Sequence, residues 1–357
     1  MRTPIRLGIV GYGYWGPNLA RNFNASEDAC LSAVCDLNAG RLAHMRTLYP
    51  NAAAYSDLGH MLRKADLSAV VVATPLRTHH ALAKACLLAG KHVLIEKPMA
   101  CSSQECEELI ALADARGLIL MVGHTYLYSS AVAKIAEIIR SGDIGEVRYI
   151  NCQRLNLGIF QPDINVAWDL APHDLSVILH VMGEPPQVVN CQGNAHINPD
   201  IEDVTNLSLS FRNKRFATIQ SSWLEPQKVR QMTFVGTRKM IVYNDLEPLG
   251  KIRIFDVRVD RPPHYDSFSD FSYAYHYGDC YIPHIGQCEP LLRMCDHFLE
   301  CILENRCPAS SGAAGLEVVR ILEACTLSLR AQGGPVVLAD PRITLMPLTQ
   351  GSLLRTG

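Results

Sequence analysis

Residues 5–16 read IRLGIVGYGYWG, an apolar run from Ile5 to Val10 that meets glycines at 11, 13 and 16. Leu19, Ala20 and Phe23 follow at helical spacing. This junction constrains the fold more than any other stretch. A strand that becomes a helix within five residues needs backbone freedom at the first glycine and close strand–helix approach at the third. Such a unit belongs to a parallel sheet, whose next strand returns through a crossover helix. The following residues supply the returns. Leu31–Cys35, Leu67–Ala73, His92–Ile95 and Leu118–Val122 read as strands. Helical segments fall between them: Arg41–Tyr49, a short helix capped by Ser56, one opening at Thr78 and closing at Gly90, and one opening with the Ser102/Glu105 capping box. Leu67–Ala73 is almost wholly apolar, as a strand covered on both faces should be.

The texture changes after Gly123. Leu207, Leu209 and Phe211 alternate with polar residues, Phe216–Ser222 returns, and Met232–Val235 and Met240–Tyr243 flank Gly236. These predict an antiparallel meander. Two helical stripes follow, at Leu291–Ile302 and Leu316–Leu327, while Ile252–Tyr281 reads as irregular loop. The expected fold class is α/β: a doubly wound parallel sheet over 1–124, then an α+β domain over 125–357 with a large open, mostly antiparallel sheet. One apolar face of that sheet, uncovered by its own helices, is expected to join copies into a homodimer or homotetramer.

The 357 residues carry a net charge of -2 and no basic stripe, which argues against nucleic acid or an anionic membrane as partner. No apolar stretch approaches the ~18 residues of a membrane span, and the N-terminus lacks an apolar leader. A cytoplasmic protein is expected. None of the 13 cysteines is spaced as C-x-x-C, so buried reduced thiols are expected and no metal site.

The glycine loop gains meaning from its context. Gly13 lets a pyrophosphate approach the backbone, and the helix opening at Gly16 directs its N–H groups toward the phosphates. Tyr12, Tyr14 and Trp15 complete that loop. Asp36 ends the second strand, twenty residues after Gly16, where a carboxylate can accept from the adenine ribose. With Leu37 beside it, Asp36 favours NAD over NADP, although Arg41 stands near enough to accommodate a 2′-phosphate. Thr74, Pro75, Glu96 and Lys97 also follow strands, and His79 opens the next helix. Ligands of open α/β sheets bind at such strand ends. The plainer readings are a capping His79, a surface Lys97 paired with Glu96, Asp169 as a helix cap and Trp168 in the core.

The set "GYGYWG" at 11–16, "ATP" at 73–75, "EKP" at 96–98 and "WDLAPHDL" at 168–175 resembles the glucose–fructose oxidoreductase/inositol dehydrogenase family of sugar dehydrogenases. The resemblance implies a Rossmann domain followed by an α/β domain. It implies Lys97, Asp169 and His173 as the acid–base groups; Trp168, next to Asp169, is either a wall of the nicotinamide site or core. Arg154 and Asn165 look like substrate contacts, as in dehydrogenases that act at C3 of nucleotide-linked sugars. An arginine suits a carboxylate or diphosphate. The expected activity is NAD-dependent interconversion of a secondary hydroxyl and a ketone on a sugar or nucleotide sugar. An inositol-type polyol dehydrogenase is the alternative, and a non-catalytic dinucleotide sensor a more distant one.

Overall fold

The computed structural model describes residues 3–260, 273–339 and 342–345. Two compact units emerge, and each is built around one sheet.

The first unit takes in 1–137, 172–181 and 284–320. Its strands and helices alternate: β1 (Ile5–Val10), α1 (Gly16–Ala25), β2 (Ala29–Cys35), α2 (Ala39–Leu48), β3 (Ala53–Tyr55), α3 (Leu58–Lys64), β4 (Ala69–Val72), α4 (His79–Leu88), β5 (His92–Ile95), α5 (Ser103–Ala115) and β6 (Leu120–Val122). The six strands pair in parallel in the order β3-β2-β1-β4-β5-β6. The doubly wound sheet expected from the glycine junction is therefore present. Strand order reverses between β1 and β4, which is where such sheets open a crevice. Register places the strand ends in one row. Val10 pairs with Cys35 and Val72, Val72 with Ile95, and Ile95 with Val122. The residues just beyond them, Gly11, Asp36, Ala73, Glu96 and Gly123, thus leave the sheet along one edge.

The chain passes next through α6 (Ser130–Arg140), β7 (Val147–Leu157), α7 (Val166–Met182), β8 (Val188–Asn194), β9 (Val204–Ser210), β10 (Phe216–Ser222), β11 (Leu224–Gly236), β12 (Met240–Asn244), β13 (Ile252–Asp260) and β14 (Ala274–Tyr281). It then forms α8 (Pro290–Glu304), α9 (Gly312–Arg330), β15 (Val336–Ala339) and β16 (Arg342–Leu345). Helix α8 returns to the first unit. Its Leu291, Met294, Cys295 and Phe298 are buried in the same core as Leu19 and Phe23, with Phe298 edge-on to Phe23 at 6.4 Å between centroids.

The second unit holds a ten-stranded sheet, ordered β14-β13-β12-β11-β7-β10-β9-β8-β15-β16. Its pairs are antiparallel except β7 with β10. Three local expectations change. Residues 252–260 and 274–281 are strands rather than loop; 261–272 lie outside the described residues. In β14 most side chains are exposed, so backbone pairing with β13 holds a strand that has no apolar alternation to announce it. Asp169 lies inside the first turn of α7 rather than capping it, with Pro172 further along the helix. The sheet face opposite the core is mixed rather than uniformly apolar. It is apolar in part: Phe216, Tyr149, Val235, Met240 and Phe255 form one row across it, beside Asn151, Gln153, Thr218 and Gln220, which with Tyr149 join in side-chain hydrogen bonds of 3.0–3.4 Å. Alternation marked the buried half of each strand correctly and left the chemistry of the other half unread.

Because α8 completes the first core, Phe298→Ala should lower the unfolding free energy by about 3–5 kcal/mol, the usual cost of emptying a buried aromatic site. Urea titration measures it. A loss under about 1 kcal/mol would show that the helix rests loosely on the sheet.

Candidate active site

The glycine loop has the geometry of a phosphate cradle. Gly11 has φ +92°, and a Cβ there would stand 2.5 Å from the carbonyl oxygen of Ala73. A Cβ on Gly16 would collide with the carbonyl of Gly11. Above Gly13 the space is open except for the Arg41 guanidinium, 3.7 Å from where a Cβ would be. A pyrophosphate therefore fits at the start of α1. Tyr12 turns inward and is buried, whereas Tyr14 and Trp15 are exposed and meet edge-to-face.

Asp36 closes the adenosine end. Its carboxylate accepts from the Tyr12 amide (2.6 Å) and the Asn38 amide (2.7 Å), and Arg41 Nη1 lies 3.5 Å away. The carboxylate is thus oriented by the loop it serves. The Arg41 cation is committed to it, while neighbouring Leu37 is fully out in solvent.

Lys97 is half-buried just past β5, and its peptide bond to Pro98 is cis. Two buried groups surround it. Glu96 accepts from the Lys97 amide (3.3 Å), and burial pushes its carboxyl up to about 7, against the pull of Lys97. His124, beyond β6, is 1% exposed and neither ring nitrogen has a hydrogen-bond partner. Burial, with the Lys97 charge adding to it, holds His124 down at about 4. Burial thus drives both neighbours of Lys97 toward their neutral forms. Thr74, half-buried, accepts from or donates to the Thr78 hydroxyl at 2.8 Å, and Pro75 beside it is exposed. His79 is turned into the protein: its nitrogens face the carbonyls of Pro98 and Thr74. His173 belongs to the same unit and packs its ring on Tyr126, 4.8 Å between centroids.

Asp169, Trp168, Asn165 and Arg154 belong to the second unit. Asn165 caps α7 through the Trp168 amide (3.1 Å) and donates to Glu202 (2.8 Å). The Trp168 indole donates to Thr326 (3.0 Å). Asp169 accepts from the indole of fully buried Trp223 (3.2 Å). Arg154 is buried on β7, between Ser221 and Arg230 in register. Sequence reasoning missed His124, Tyr126 and Trp223. The strand-end rule, extended to β6, would have reached His124, whereas nothing local marks Trp223 as a partner of Asp169.

Residues 5–124 match the oxidoreductase family model with an NAD-binding Rossmann fold, and 132–242 match the GFO/IDH/MocA C-terminal domain. The chain belongs to the GFO/IDH/MocA family of oxidoreductases. Its first domain is the nicotinamide-dinucleotide-binding Rossmann domain of an oxidoreductase. Among curated relatives, the UDP-N-acetylglucosamine 3-dehydrogenase of Acidithiobacillus ferrooxidans is 29% identical over 88% of this chain and 94% of its own length. A myo-inositol 2-dehydrogenase of Thermotoga maritima is 25% identical over 61% of this chain and 68% of its own length. A solved structure of the Acidithiobacillus enzyme superposes with TM-score 0.75 at 25% identity, covering 93% of this chain and all but 1% of its own.

In this family member the buried Glu96 yields a pH test. Its carboxyl titrates near 7 in the fold against an ordinary value of 4.5. Between those values the folded protein holds a proton that the unfolded chain has released. The group's contribution to stability is thus full below about 4.5, declines as pH rises through 7, and leaves the whole burial cost above it. Glu96→Gln should therefore stabilise more at pH 8 than at pH 5, by up to about 3 kcal/mol in urea denaturation. An equal effect at both pH values would contradict this burial.

Proposed function

We propose that the protein is an NAD-dependent dehydrogenase that interconverts a secondary hydroxyl and a ketone, at C3 of a nucleotide-linked sugar. The observation that carries this reading is the row of strand ends on one sheet. Gly11, Asp36, Thr74 and Lys97 follow β1, β2, β4 and β5, with Lys97 next to two buried groups that burial drives toward neutrality. The preference for NAD is supported by Asp36, held by two backbone amides, and by Arg41 being engaged with that carboxylate. The sugar class is supported by the full-length similarity to the UDP-N-acetylglucosamine 3-dehydrogenase.

The loop Gly11–Gly16 would hold the pyrophosphate and Asp36 the adenine ribose. The nicotinamide, when bound, takes up or returns the hydride. The chain must then manage the proton, because oxidation of a hydroxyl releases one of each. Lys97 would polarise or deprotonate the hydroxyl, and His173, its ring packed on Tyr126, would relay the proton or share that role. Asp169, four residues before His173 on α7, is the further acid–base group, steadied by Trp223. Arg154 and Asn165 are proposed as substrate contacts and Trp168 as a cofactor wall, on the family resemblance. Asn165 and Trp168 have in addition the structural bonds described above.

A panel of nucleotide sugars, free sugars and inositols with NAD or NADP, followed by absorbance of the reduced cofactor, tests the reading. UDP-N-acetylglucosamine-type substrates with NAD are expected to turn over fastest. Lys97→Met and His173→Ala should each lower turnover by about 10²–10⁴-fold with NAD binding nearly intact. Turnover on inositols alone would favour the polyol alternative, and no turnover with dinucleotide still bound would favour a sensor.

Self-association is a separate proposal. The hydrogen-bonded part of the outer face of the ten-stranded sheet is half-buried along Tyr149, Asn151, Gln153, Thr218 and Gln220, and a second copy could extend that network. Light scattering at micromolar concentration should give two or four times the 39.5 kDa chain mass. A mass of one chain would refute it.

A further inference from the structure

The mechanism leaves one buried histidine unused. His79, at the start of α4, is 1% exposed. Its Nδ1 lies 2.8 Å from the carbonyl oxygen of Pro98, and its Nε2 lies 2.7 Å from that of Thr74. These carbonyls belong to different turns. Thr74 lies just past β4, and Pro98 directly follows Lys97. The backbone ladder joining β4 to β5 reaches as far as the Glu96 amide, which donates to Val72 (2.9 Å). Past that bond the imidazole spans the two turns.

We propose that His79 is a positioning residue for Lys97, a rigid strap that sets the distance between the Thr74–Pro75 turn and the Lys97–Pro98 turn. The ring carries both nitrogens on one planar frame, and as the imidazolium it bonds both carbonyls and fixes their spacing. It donates to one when neutral and to both when protonated. A buried imidazole is a costly way to fill space, and an aliphatic side chain would pack there without desolvating two polar atoms. What the imidazole adds is a link between the turn expected to border the cofactor and the turn that carries the base. Catalysis is sensitive to that spacing, since a 1 Å displacement can cost ~10²-fold. The inference rests on the reading of Lys97 as the acid–base group, and its test separates the two.

His79→Gln retains an amide that can donate to one carbonyl, and His79→Ala retains neither contact. A crystal structure of His79→Gln should show the Lys97–Pro98 turn displaced relative to β5, a result independent of any substrate. With the sugar found in the panel above, kcat should fall about 10-fold in His79→Gln and about 100-fold in His79→Ala. The KM for NAD should change much less. Placed in a Lys97→Met background, His79→Gln should have no further effect on kcat, because residues acting as one unit are not additive. A purely structural histidine would lower activity equally in both backgrounds, so an additive loss overturns the proposal, as does an unmoved turn. If His79→Ala fails to fold, His79→Gln carries the same test. Full activity in Lys97→Met alone would remove the role given to Lys97 and leave the crystallographic result to judge the strap.

Discussion

Two missing methyl groups hold this architecture together. Any side chain at Gly16 would strike the carbonyl of Gly11, and any at Gly11 would strike Ala73 at the end of β4. Their absence lets β1, α1 and β4 converge at the point where strand order reverses. From that convergence follow the open space above Gly13, the Tyr12 amide that orients Asp36, and the alignment of Thr74 with Lys97 on the neighbouring strand. The approach is steric, so it acts on every later feature of the crevice and tolerates no substitution that adds a Cβ.

The second organising effect is electrostatic. β5 and β6 deliver Glu96, Lys97 and His124 into one corner, and burial acts on them in opposite directions. It drives the carboxyl up and the imidazole down, so both tend toward neutrality. Lys97 stands beside both and acts on each in turn, lowering the Glu96 carboxyl against burial and lowering the His124 imidazole with it. Asp36, with two backbone donors, is the contrasting case of an acid held in place by hydrogen bonds.

Much of this was legible in the residues. The glycine spacing, the apolar strand at 67–73 and the capping box at Ser102 fix the first sheet because each depends on neighbours in sequence. Gly11, Asp36 and Lys97 could be placed for the same reason: strand ends are local features. The rest depends on contacts far apart in the chain. Phe298 of α8 meets Phe23 across 275 positions, the Trp223 indole reaches Asp169 across 54, and His79 finds Pro98 across 19. β14 is shaped by its partner strand rather than by its own pattern. On the outer face of the ten-stranded sheet, alternation reports which residues are buried and is silent about what the others do together, so the polar network beside the Tyr149–Val235–Met240 row went unread. Asn165 shows a further limit, since one side chain can look like a ligand contact in a motif and also cap a helix.

The central claim is that the strand-end row binds a dinucleotide with its reactive end at Lys97. The most direct measurement is a crystal structure of the protein with NAD bound. The account predicts the pyrophosphate on the Gly11–Gly16 loop, the adenine ribose on Asp36, and the nicotinamide ring at the mouth of β5 beside Lys97. A dinucleotide bound in the reverse sense, or with its nicotinamide away from the Lys97–Pro98 turn, would contradict it.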